Sequence, residues 1–97
     1  MGWSAGRKLR QVLANLSRIL AAELLCAAQA IELRTPLRPA PATRAALEKI
    51  RERIPFTTRD RFLAPDLKAI QDLVESGEAV RAAMETADHE RAARRKP

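Results

Sequence analysis

Tyrosine is absent from these 97 residues, and aromatics of any kind number only three: Trp3, Phe56 and Phe62. Aromatic rings supply much of the buried area of a small core. Their scarcity, with much of the 46% hydrophobic content being alanine, leaves poor material for an independent compact domain. Cysteine occurs once, at Cys26, which excludes an internal disulfide. With no signal-peptide pattern, a reducing cytoplasm is the expected setting. Histidine also occurs once, at His89, 63 positions from the cysteine, so no metal-ligand spacing exists. The three glycines stand apart at 2, 6 and 77, and none belongs to a phosphate-cradling loop. The longest apolar run, Ile19 to Ile31, is interrupted by Glu23 and Gln29. It falls short of the roughly 20 residues a bilayer span needs.

What is present is helical pattern and positive charge. Leu9, Val12, Leu13, Leu16, Ile19 and Leu20 recur at the three-and-four spacing of one helix face. Neither glycine nor proline occurs between Gly6 and Pro36, so a long first helix is predicted over Ala5–Leu33. From Ile19 nearly every position becomes apolar ("ILAAELLCAAQAI"), and a helix apolar all round is buried all round. The prolines of "RTPLRPAPAT" (34–43) make a connector. A second helix is predicted over Thr43–Arg53, capped by Thr43 and striped by Leu47, Ile50 and Ile54. A third starts near Pro65 with Asp66 in its first turn, presents Leu67, Ile70, Leu73 and Val74, and stops at Ser76-Gly77. A weaker fourth runs from Glu78 to about Ala87, and 86–97 read as a basic, disordered tail. No strand is predicted; the fold class is all-α, with 1–85 as one helical segment of a larger bundle.

One domain at most fits this length, and such a chain buries only about 60–65% of its unfolded surface. The second and third helices each offer one narrow stripe. They cannot enclose the apolar half of the first. The chain therefore expects further helices, from other parts of a longer protein or from sister subunits.

No catalytic constellation is legible. His89 reads as a solvated tail residue. Cys26, within the apolar helix and without a basic neighbour within four positions, reads as an inert buried thiol. Glu48 with Glu52 sits among Lys49, Arg51 and Arg53, which suggests ordinary surface ion pairs; Asp60 with Asp66 is no stronger a carboxylate site. Glu23 must be paired or wet, Gln29 reads the same way, and Trp3 reads as an anchor against another surface. The catalytic, cofactor-binding and metal-ligating sets are all empty. A net charge of +6 keeps a second class open. That class is a small basic module binding a partner helix or nucleic acid through Arg7, Lys8, Arg10 and Arg18 and the Arg91, Arg94, Arg95, Lys96 tail. The arginines lack the interleaved aromatics that single-strand stacking needs, so nucleic acid is not expected.

Three segments in order, "MGWSAGRKL", "AAELLCAAQAIELR" and "DRFLAPDL", carry a family resemblance. The sequence resembles the C-terminal end of the aromatic amino acid ammonia-lyases, on the histidine branch, over about residues 1–85. In that family a Met-Gly opens a long C-terminal helix that passes into an Ala-Glu-Leu-Leu…Ala-Ala-Gln-Ala segment, matched by Ala22 to Ala30. The Asp-Arg-Phe-Leu-Ala-Pro-Asp signature is matched by Asp60 to Asp66. The resemblance implies a cytoplasmic, helical homotetramer in histidine degradation, converting L-histidine to trans-urocanate and ammonia. It implies an electrophile, a methylidene-imidazolone group made from an internal Ala-Ser-Gly. Neither that tripeptide nor any tyrosine occurs here. The family's nearby acid lies in a Gln-Glu-Asp-His stretch before the Met-Gly. No family catalytic or cofactor residue therefore maps onto these positions, and the chain alone is expected to be inactive. Met1 reads as an internal methionine of a larger enzyme.

Overall fold

In a computed structural model of the chain, residues 2–56 and 63–95 are described; the Asp60 end of the predicted signature lies outside them. Four helices follow in order: α1 (Gly2–Leu33), α2 (Pro41–Arg53), α3 (Ala64–Ser76) and α4 (Glu78–Arg95). The described residues contain no strand.

Helix α1 begins three residues earlier than predicted and runs unbroken for 32 residues, about 48 Å at 1.5 Å per residue. Its end is closed locally: the Thr35 hydroxyl donates to the Glu32 carbonyl at 2.6 Å, and Leu37 N–H donates to the Arg34 carbonyl. Helix α2 corrects the predicted boundary. It starts at Pro41, preceded by Ala40 with no side-chain cap, so Thr43 lies inside the helix and does not cap it. Proline's preset φ and missing N–H suit a first-turn position, which moves the start ahead of the threonine.

Pro65 and Asp66 occupy the first turn of α3 as expected, and Gly77 closes it in the left-handed conformation at φ 74°. Gly77 is also the hinge into α4, whose first bond joins Arg81 N–H to the Gly77 carbonyl. The sequence reading placed the end of α4 near Ala87 and left 86–97 as a tail; the helix instead continues to Arg95. Six of the ten residues 86–95 are alanine or arginine, both strong helix formers. Asp88 pairs with Arg91 at 3.6 Å, and Arg94 and Arg95 complement the negative C-terminal end.

The helices pack in a chain of contacts. Helix α1 lies on α3, α2 lies along α4, and α3 touches both α2 and α4. The core is accordingly small: Ala21 and Ala28 from α1, Ile50 and Ile54 at the end of α2, Ile70 and Leu73 from α3, and Ala79 from α4. Because α2 spends its apolar stripe largely on α4, α1 receives one neighbour along its length. The outcome is flat and elongated, 58 × 40 × 17 Å, with a radius of gyration of 16.6 Å. A compact domain near this length would measure about 13 Å.

Candidate functional site

The C-terminal end of α1 is pinned by one side chain of α2. Arg51 donates from Nε to a Glu32 carboxylate oxygen at 2.6 Å and from Nη1 to the Ile54 carbonyl at 3.1 Å. Its guanidinium also sits 5.6 Å from the centre of the Phe56 ring. Both members of the ion pair are half-buried. One planar fork thus ties α1, the end of α2 and the segment after it. Residue-by-residue reading of the sequence missed this clamp: Arg51 looked like any arginine on a charged helix face, and its partner is 19 positions away.

The N-terminal half of α1 is the opposite case. Leu9, Val12, Leu13, Leu16 and Ile19 are each about half exposed, and Trp3 is 82% exposed. Ala21 and Ala28, by contrast, are buried toward α3, with Leu24 and Leu25 packed beside them. Ser17 also reaches α3, donating to Glu75 at 3.2 Å. At 100° per residue the two sets lie roughly 100–130° apart around the helix axis. Helix α1 therefore has two working faces, one of small residues against α3 and one of leucines that nothing in this chain covers. A shallow recess of about 320 Å³ lies at its start, lined by Gly2, Trp3, Gly6, Arg7 and Arg10.

The sequence reading placed the uncovered surface at Ile19–Ile31. Alanines within that run meet α3, and the larger uncovered area lies earlier, from Leu9 to Leu20. Cys26 also departs from expectation: it is exposed, not buried, because α3 meets the other side of the helix. Glu23 is exposed and wet, whereas Gln29 is half-buried and has an interaction partner. His89 stands exposed on α4. Glu52 pairs with Lys49 at 3.3 Å as an ordinary surface bridge. Among the described residues no three His, Cys, Asp or Glu side chains gather where they could hold a metal ion. No helix among the described residues is long and apolar enough to cross a membrane.

This arrangement defines a helical segment with one open face. The chain belongs to the aromatic amino acid lyase family, whose model matches residues 1–52, covering α1, the connector and nearly all of α2. It is 58% identical over 82 residues to a histidine ammonia-lyase of Symbiobacterium thermophilum, a match covering 84% of this chain and 16% of that one. It is 51% identical over 84 residues to a histidine ammonia-lyase of Streptomyces avermitilis, covering 86% of this chain and 16% of the relative. A match to the enzyme of Aromatoleum aromaticum, 44% identical over 93 residues, covers 96% of this chain and 18% of that one. The chain thus spans about a sixth of the length of these relatives. No solved structure matches it.

Proposed function

We propose that this chain supplies the C-terminal helical scaffold of a histidine ammonia-lyase, an enzyme converting L-histidine to trans-urocanate and ammonia in histidine degradation. Its role is structural: to dock helices against the rest of a lyase subunit and its sister subunits in a cytoplasmic homo-oligomer. The observation that carries this reading is the open leucine face of α1, lying wholly within the part of the chain that matches the family.

The residues present do not fit the family's methylidene-imidazolone electrophile. These 97 residues contain no Ala-Ser-Gly to form it and no tyrosine to move a proton beside it. No step of the reaction is assigned to this chain. What its residues do is position: Arg51 and Glu32 fix the end of α1, Ile70 and Leu73 seat it on α3, and the leucine face meets another helix.

Two measurements test this. The 97-residue chain, given L-histidine, is expected to yield no urocanate by ultraviolet absorbance; measurable turnover would overturn the scaffold role. The second measurement uses the Symbiobacterium relative. Deleting its matching segment should abolish activity, and replacing that segment with residues 1–85 of this chain should restore most of it. A chimera that assembles yet stays inactive would count against the assignment to the histidine branch.

A further inference from the structure

The end of α1, the proline connector and the start of α2 form a second recess. Its volume is about 390 Å³, inside the roughly 300–1,000 Å³ range of small-molecule sites. Both walls come from this chain, α1 with its connector on one side and α2 on the other. Ile31, Pro36 and Leu47 give it an apolar lining, and Arg38 and Arg44 give it two cationic side chains. Arg44 is half-buried and Arg38 exposed. Among the described residues neither guanidinium has a hydrogen-bond or ion-pair partner, whereas Arg51 and Arg53 further along α2 are both paired. We infer that this recess binds a small carboxylic acid, its carboxylate on Arg38 and Arg44 and its apolar body against Ile31, Pro36 and Leu47.

Charge selects the ligand. The acidic side chain in the lining is Glu32, and its carboxylate is already held at 2.6 Å by Arg51. That pair is close to neutral, so the two unpaired guanidiniums set the sign of the recess. Glu48 stands one turn after Arg44 but outside the lining. Helix α2 begins with no acidic residue in its first turn and no side-chain cap. The positive end of its dipole therefore adds to the field of Arg44 with nothing to offset either. The Thr35 hydroxyl is spent on the Glu32 carbonyl, which leaves the two arginines as the side-chain donors of the lining. A guanidinium is a planar fork matched to a carboxylate. A bare inorganic anion would satisfy the charge but leave Ile31, Pro36 and Leu47 in water. An organic acid also covers that apolar surface, and this is where it gains.

The inference does not rest on the scaffold reading, and its readout is binding, not urocanate. The probe is benzoate, titrated into the isotopically labelled 97-residue chain and followed by nitrogen–proton NMR. The Arg38 and Arg44 side-chain resonances and the Leu47 amide should shift together and saturate. Benzamide, the neutral isostere, should move none of them. Inorganic phosphate at equal ionic strength should bind at least about fivefold more weakly, for want of an apolar body. Arg38→Gln and Arg44→Gln should each weaken benzoate about threefold and together about tenfold, as partly exposed charge pairs do. Helical circular dichroism should be unchanged in both, since neither side chain is in the core. Arg34→Gln, a nearby arginine outside the lining, should leave binding as it was. No saturable shift, equal binding of benzamide or of phosphate, or an equal loss in Arg34→Gln would each overturn the proposal. The chimera with the Symbiobacterium relative supplies the last arm, by equilibrium dialysis. Its benzoate binding should drop by one site per subunit on the double substitution. A chimera indifferent to that substitution has the recess filled by the enclosing enzyme, and would overturn the proposal too.

Discussion

Replacing Arg51 should reveal how much of this fold hangs on a single side chain. Arg51→Met removes the 2.6 Å bond to Glu32, the bond to the Ile54 carbonyl and the contact with the Phe56 ring. Losing one member of a fully buried ion pair costs about 3–5 kcal/mol, because the other charge is left uncompensated. Here the side chains are 16% and 26% exposed, so water reaches Glu32 and the loss falls to about 2 kcal/mol. Arg51→Lys keeps the charge but not the planar fork, and about 1 kcal/mol is expected. Glu32→Leu alone should cost about 2 kcal/mol, leaving the guanidinium half satisfied. The double variant Glu32→Leu with Arg51→Met should cost well under the sum, since it strands neither charge. Urea titrations followed by helical circular dichroism measure all four. They must be run at one protein concentration, because association adds to apparent stability. If Arg51→Met costs under about 0.5 kcal/mol, or the two single losses simply add, the clamp is an ordinary surface pair and the reasoning fails.

Two further substitutions probe the packing. Leu73→Ala empties a site with no exposure at all; a loss of about 2–5 kcal/mol is expected, large enough in so small a core to abolish the cooperative transition in thermal melts. Gly77→Ala forces a side chain into a left-handed backbone and sets its Cβ 3.1 Å from Arg81 Nη1; a destabilisation of about 1–2 kcal/mol by urea titration is expected, with neutrality counting against Gly77 as the required hinge.

Much of this architecture is written locally in the chain. The all-α class, the proline connector, and Pro65, Asp66 and Gly77 at the ends of α3 follow from short-range rules, and the structure agrees. Thr43 misled because two rules competed: a good cap residue stood two positions after a proline that itself suits a helix start. The end of α4 was missed because alanine weakens apolar periodicity without weakening helix propensity. Pairing was the least legible. Nothing local says that the stripe of α2 belongs to α4, and that choice decides how much of α1 stays open. That the sequence holds no tyrosine and no Ala-Ser-Gly is legible directly. The clamp at Arg51 is not, since it joins residues whose proximity exists only after α1 and α2 are set together.

The contrast between the two ends of α1 bears on how the chain acquires order. Its C-terminal half is held by α3 and by Arg51 of α2. The half from Gly2 to Asn15 has no such support. Its first turn carries no acidic residue, and Arg7, Lys8 and Arg10 oppose the positive end of the helix dipole. Isolated helices of about 12–15 residues are marginal in water, so helical stability in proteins comes mainly from packing an apolar face. The leucines that would supply such packing are the ones left uncovered. Order in this half therefore depends on whatever covers its leucine stripe. In the isolated chain, amides of residues 2–15 should exchange faster than those of α3, and Leu13→Lys should leave the protection of α3 unchanged. Protection of residues 2–15 equal to that of α3, measured by hydrogen exchange, would refute the reasoning.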